Sequence, residues 1–326
     1  AFFGAISGSQ YATTTTIGKL MYPEMEKEGY RPSFAAVIQA VGGTLGVLIP
    51  PSISCVLYGN ITGVSVGGML LWIAPVGIIT CIVYILVGQF MMRDKRHPAY
   101  IPNEYAKEQE EARSASLGAA FKDGFWALLT PVIILGGIYA GIFTPTECAV
   151  VATFYAAIVG IFVYKELTLK TLFKAVIDSL VSSCSIMMIV NAANVMCWLF
   201  AYYGIANALA AFVQSVIHSK YMLLLAINII YIIIGMFCES AVTMLIVVPL
   251  LFPIAMSYGI NGIHFGLITI LNAMLGTVTP PFGGAVFVAN AVTRVSIQDQ
   301  FRDCFPFLIA GFAWCFILTY VPLFFL

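Results

Sequence analysis

Long apolar runs separated by short polar stretches fill this chain of 326 residues. Their lengths predict membrane-spanning helices near 66–92, 125–143, 148–164, 175–203 and 304–326. A shorter interfacial stretch, 205–218, leads into an apolar arm at 221–237. Two polar interruptions sit inside apolar surroundings. Ser7-Gly8-Ser9-Gln10, followed by Thr13-Thr14-Thr15-Thr16, suits the tip of a re-entrant hairpin whose second arm is 11–22. Cys238-Glu239-Ser240 suits a second tip with the return arm 241–256. Residues 19–32 read as a polar loop, and the charged stretch 93–124 as a partly helical extramembrane linker.

Two further apolar segments, 33–63 and 264–295, cannot be continuous helices. The first contains Gly42-Gly43-Thr44-Leu45-Gly46-Val47-Leu48-Ile49-Pro50-Pro51-Ser52, and the second Gly276-Thr277-Val278-Thr279-Pro280-Pro281. Adjacent prolines remove two backbone donors, and the second proline pushes the first out of α geometry. Unwound backbone at membrane depth is tolerated only where it is buried in protein or lines a wet cavity. Each segment therefore reads as two half-helices joined by a loop.

The two halves of the chain share a register. A shift of about 230 positions pairs Pro23 with Pro253, Gly29 with Gly259, Gly46 with Gly276, Pro50-Pro51 with Pro280-Pro281 and Asn60 with Asn290. It also lays Gly8-Ser9-Gln10 on Cys238-Glu239-Ser240. Rare, structure-breaking residues in one register indicate an internal repeat.

Composition agrees with the pattern. Hydrophobic residues make up 61% and charged residues 9%, and mean hydropathy is +0.97. The expected fold class is an all-α polytopic membrane protein in the lipid bilayer. A net charge of zero with no basic stripe gives no sign of nucleic-acid binding. Eight cysteines without a Cys-x-x-Cys pair read as small buried apolar side chains. Ala1-Phe2-Phe3-Gly4 has no initiator methionine or capping residue and starts inside an apolar element, so a preceding segment is expected.

Charge sets the topology. If each hairpin returns to its own side and each broken helix crosses, the loops 19–32, 93–124, 165–174 and 294–303 share one side. Of the 15 Lys and Arg residues, only Lys220 then lies opposite. The positive-inside rule makes the loaded side cytoplasmic and the two repeats inverted. Residues 1–92 and 219–326 are then expected to form a mobile transport domain, 93–124 a cytoplasmic arm, and 125–218 scaffold helices.

Inverted repeats with broken helices are a device of secondary transporters. Half-helix N-termini favour a carboxylate, whereas C-termini and unwound carbonyls suit a hard cation such as Na⁺. Carbonyls near 46–50 and 276–280 should point into the breaks, with Ser7, Ser9, Thr279 and Ser240 adding hydroxyl oxygens. Glu239, an acid at a hairpin tip, either ligates a cation, accepts a proton or caps backbone N–H groups. Gln10, Thr13, Thr44, Asn60 and Asn290 are candidate substrate contacts, set against backbone hydrogen bonding as the plain alternative. Thr144-Pro145-Thr146-Glu147 reads as a capping box opening the span 148–164 rather than a binding site.

Gly-Ala-Ile-Ser-Gly-Ser (4–9), Gly-Gly-Thr-Leu-Gly-Val-Leu-Ile-Pro-Pro-Ser (42–52), Gly-Ile-Phe-Thr-Pro-Thr-Glu (141–147) and Gly-Thr-Val-Thr-Pro-Pro-Phe-Gly (276–283) occur in this order. Together they resemble the large membrane (M) subunit of tripartite ATP-independent periplasmic (TRAP) transporters, over nearly the whole chain. The resemblance implies an elevator-type, Na⁺-coupled carrier in the bacterial inner membrane. It would work with a small membrane (Q) subunit and a periplasmic substrate-binding protein that delivers a small carboxylate. It places one sodium site on Ser7, Ser9, Gly46, Ile49 and Pro51. A second falls on Gly276, Thr279 and Pro281, with Glu239-Ser240 nearby.

Other readings make different demands. A stand-alone Na⁺- or H⁺-coupled anion carrier would need no binding protein. An intramembrane enzyme needs a nucleophile–base pair or metal ligands at depth, and no intramembrane His–Glu or Ser–Lys pair stands out. A passive channel would need a filter, for which nothing in the sequence speaks.

Overall fold

In the computed structural model, residues 2–93, 99 and 117–324 are described, and no strand occurs among them. The helices are α1 (Phe2–Ser7), α2 (Gln10–Lys27), α3 (Pro32–Leu48), α4 (Ile53–Thr62), α5 (Val66–Arg93), α6 (Leu117–Tyr139) and α7 (Pro145–Ile158). There follow α8 (Leu169–Tyr202), α9 (Ile205–Val216), α10 (Lys220–Gly235), α11 (Ser240–Ser257), α12 (Gly262–Gly276), α13 (Gly284–Thr293) and α14 (Ile297–Tyr320). Among the described residues, four helices are long and apolar enough to cross a membrane, and α3–α4, bent by 42°, makes a fifth candidate. The chain is an all-α, multi-pass membrane protein.

It divides into two compact units: Ala1–Arg113 with Leu209–Leu326, and Ser114–Ala208. In the first, α3 and α12 are buried almost all round, from Phe34 to Leu48 and from His264 to Gly276. Helices apolar on every face belong inside a bundle. Around them, α5 keeps Ile78, Ile82, Leu86 and Phe90 exposed, a face suited to lipid. At one end, Arg31 donates to Asp303 at 2.6 Å, and the Ser33 hydroxyl donates to the other carboxylate oxygen at 2.6 Å. This ties the start of α3 to α14.

In the second unit α6 and α7 form a helical hairpin. The Tyr155 hydroxyl donates to the Trp126 carbonyl at 2.7 Å. The Thr144–Glu147 capping box is present, with the Thr144 N–H donating to Glu147 Oε2 at 2.7 Å. Past α7 the helix widens into a single π turn, Val159–Val163.

Several boundaries differ from the sequence expectation. The loop expected at 19–32 is largely helix, because α2 runs through Pro23 to Lys27 before Gly29 turns the chain at φ +96°. Glu24, Met25, Glu26 and Lys27 are good helix formers, and their propensity carries the helix past the polar switch. Likewise α14 starts at Ile297 rather than 304, because Ser296 caps it by accepting from the Asp299 N–H. Of the expected linker 93–124, residues 94–98 and 100–116 lie outside the described residues.

Candidate functional site

Both broken segments are broken as their prolines require. Helix α3 stops at Leu48, with Ile49 extended, and α4 resumes after an extended Ser52. Helix α12 stops at Gly276, and the amides of Thr277, Val278 and Thr279 each turn back three residues to a carbonyl. Gly283, at φ +55°, then admits α13. The Pro50-Pro51 and Pro280-Pro281 bonds are both cis.

The first tip closes onto the first break. Gly8, at φ +60°, lies so close to the Pro51 carbonyl that a Cβ there would be 3.0 Å from the oxygen. A Cβ on Gly46 would stand 2.9 Å from Thr13 Oγ1 and 3.1 Å from the Ser9 carbonyl oxygen, and Gly46 also touches Gly4. Ser7 Oγ and Thr13 Oγ1 are 2.8 Å apart, and the Thr13 hydroxyl donates to the Ser9 carbonyl at 2.8 Å. Ser7, Ser9, Gly46 and Pro51 thus come together with Thr13, a set of neutral oxygens suited to a hard monovalent cation. Ile49 stands at the open end of α3, its N–H donating to the Leu45 carbonyl.

At the second break, Gly276 packs directly on Gly235 of α10, where a Cβ would lie 2.5 Å from the Gly235 Cα. The Thr279 hydroxyl donates to Leu275 O at 2.7 Å, so its oxygen keeps lone pairs for a ligand. Glu239 is the N-cap of α11: Oε2 accepts from the Ala241 N–H at 2.9 Å and Oε1 from the Ser240 hydroxyl at 3.0 Å. Its carboxylate therefore serves the helix start, and Ser240 serves that carboxylate.

The first tip also meets the second break. The Gln10 side-chain amide lies 3.1 Å from the Thr277 hydroxyl, and Gln10 is 1% exposed. Tyr11 Oη stands 2.5 Å from where a Gly284 Cβ would be, at the start of α13, and within electrostatic reach of Glu239. Neither Tyr11 nor Thr277 stood out in the sequence, although both adjoin positions that did. The remaining substrate candidates are differently placed. Thr44 is buried and its hydroxyl donates to its own helix at Val41 O, 2.6 Å. The Asn290 amide donates to Val295 O at 2.7 Å, closing the end of α13. Asn60 is exposed on α4.

The described helices make a multi-pass membrane bundle interrupted at Pro50-Pro51 and Pro280-Pro281. The family described as "Tripartite ATP-independent periplasmic transporter, DctM component" matches residues 1–324, and the chain belongs to it. It is 37% identical to the C4-dicarboxylate TRAP transporter large permease protein DctM of Pseudomonas aeruginosa, across 98% of this chain and 73% of that protein. It is 33% identical to the sialic acid TRAP transporter permease protein SiaT of Haemophilus influenzae, across 98% of this chain but 50% of that protein. The 2,3-diketo-L-gulonate TRAP transporter large permease protein YiaN of Escherichia coli is 31% identical, across 98% and 73%.

Proposed function

We propose that this chain is the large membrane subunit of a Na⁺-coupled carrier that takes up a small organic acid across the bacterial inner membrane. The observation that carries the reading is the cluster of neutral oxygens formed by Ser7, Ser9, Thr13 and the Gly46–Pro51 break. Na⁺ there would be held by hydroxyls and half-helix carbonyls without a fixed negative charge. The second site would use Gly276, Thr279 and Pro281, with Glu239-Ser240 holding the tip. Relatives named for C4-dicarboxylate, sialic acid and 2,3-diketo-L-gulonate support an organic acid as cargo.

Residues 1–92 and 219–326 would form an inverted-repeat transport domain moving as an elevator against the scaffold 125–218. In support of the repeat, local geometry recurs at one offset. The Gly8 N–H donates to Gly4 O as the Cys238 N–H does to Ile234 O, and Gly29 and Gly259 both have positive φ. The tripartite name of the family supports a small Q subunit and a periplasmic binding protein as partners.

Reconstituted full-length membrane subunits, given an inward Na⁺ gradient and a panel of carboxylates, test this. Concentrative uptake that needs both Na⁺ and the binding protein is expected. Uptake without the binding protein would promote the stand-alone carrier, and Na⁺-independent uptake would remove the coupling.

A further inference from the structure

An apolar groove of about 350 Å³ opens on the first unit between α2, α3, α5 and α14. Its walls include Gly42, Leu45, Ile85, Gly88, Met92 and Phe307. It shares no residue with the oxygen cluster, although Leu45 and Gly46 are neighbours on α3. Ile85 is both a wall of the groove and 53% exposed, so the groove is continuous with the face of α5 that carries Ile82, Leu86 and Phe90. Water gains nothing in an apolar slot, whereas a chain of methylenes fits it and is the solvent around α5.

We propose that this groove binds one acyl chain of an anionic phospholipid, with the headgroup at the α5 C-terminus. Tyr30 and Met92 mark that end, and the exposed Arg93 follows Met92 in sequence, at the margin read as cytoplasmic by its basic residues. Membrane surfaces on that side are anionic, and a basic residue beside the mouth favours a phosphate over a neutral headgroup. The floor is made by two glycines. A Cβ on Gly42 would meet nothing within 4 Å, and one on Gly88 would meet only the tips of Ile38 and Phe307, at 3.8 and 4.0 Å. Larger side chains there fill the groove without striking backbone. The occupied chain would brace the back of α3, whose far end forms the first break.

The experiment uses the full-length membrane subunits, delipidated in detergent and titrated with phosphatidylglycerol or phosphatidylcholine of matched acyl chains. Native mass spectrometry and thermal unfolding are the readouts. For the unaltered protein, one tightly retained phosphatidylglycerol per large subunit and a larger thermal shift than with phosphatidylcholine are expected. In Gly42→Leu/Gly88→Leu the retained lipid should disappear and the shift should fall at least twofold. Full retention and an unchanged shift in that folded variant would overturn the proposal. So would loss of a co-purifying protein chain with lipid binding intact. If the variant fails to fold, a photoactivatable phosphatidylglycerol carrying its reactive group in the acyl chain decides. Adducts are expected on 38–45 and 81–92, and adducts confined to other segments would reject the site.

Discussion

Ser9 and Glu239 hold equivalent places in the two halves. Each is the N-cap of an 18-residue helix that begins at a tip, and each presents its carbonyl to a threonine four residues on. The Thr13 N–H and hydroxyl donate to the Ser9 carbonyl at 3.1 and 2.8 Å, and those of Thr243 donate to the Glu239 carbonyl at 2.9 and 3.1 Å. The side chains differ in what they do next. Ser9 offers one weak cap, a 3.5 Å bond from the Ala12 N–H, whereas Glu239 caps with a carboxylate and holds Ser240.

Glu239→Ala should therefore lower thermal stability by the loss of a cap, about 1 kcal/mol. Glu239→Gln, which keeps an acceptor oxygen, should lose less. Uptake by Glu239→Gln measured over a range of Na⁺ separates the roles. An unchanged Na⁺ dependence leaves the carboxylate as a cap, and a rightward shift makes it part of the second site.

Ser7→Ala and Thr13→Val remove hydroxyl oxygens from the cluster at the first break while leaving the helices their backbone bonds. Each should raise the Na⁺ concentration for half-maximal uptake severalfold with little change in unfolding temperature. Equal loss of stability and uptake, with the Na⁺ dependence intact, would mark these hydroxyls as packing groups.

Gly46→Ala and Gly276→Ala test the close approaches behind the breaks. The added methyl would lie 2.9 Å from Thr13 Oγ1 in the first case and 2.5 Å from Gly235 Cα in the second. Overpacking of this kind costs about 1–3 kcal/mol. The Gly276 change should be the worse, because its three nearest contacts are all Gly235 backbone atoms within 2.9 Å, whereas at Gly46 the nearest backbone atom, the Ser9 carbonyl oxygen, lies 3.1 Å away. Unfolding temperatures of the two purified variants give the order directly.

Arg31 and Asp303 form an ion pair whose carboxylate is nearly buried, at 9% side-chain exposure, while the guanidinium is 31% exposed. Stripping one partner from a fully buried pair costs about 3–5 kcal/mol, and exposed pairs are worth about 0–1 kcal/mol. Asp303→Asn is expected in between, near 2 kcal/mol. In a double-mutant cycle with Arg31→Met, most of that loss should vanish in the Met background.

Thr144→Ala should cost about 1 kcal/mol through the broken capping box, and Glu147→Gln should cost less because glutamine also serves at that position. Thermal unfolding checks both. Abolished uptake in Glu147→Gln at unchanged stability would give this acid a role beyond the cap.

Features that rest on local chemistry were readable from the chain. Pro50-Pro51 and Pro280-Pro281 end their helices because two consecutive donors are missing and the preceding residue is forced out of α geometry. The capping box at Thr144 follows from side chains within one turn, as does the tip at Glu239. Asn290 and Thr44 show where residue type stops being informative. Each donates to a carbonyl close by in its own chain, at Val295 and Val41. A backbone acceptor within a turn cannot be told from a distant ligand by residue type alone.

The sequence by itself determined that the chain is a helical membrane protein, where its helices break, and which residues stand at its two tips. Those follow from apolar length, missing N–H groups and short-range capping, all of which act within a few residues. Only the tertiary structure decided that Thr13 joins Ser7 and Ser9, that Gln10 meets Thr277 across 267 positions, and that glycines clear the way for the tips. These contacts depend on how helices distant in sequence pack, and packing is fixed by side-chain volume and shape in three dimensions rather than by any pattern along the chain.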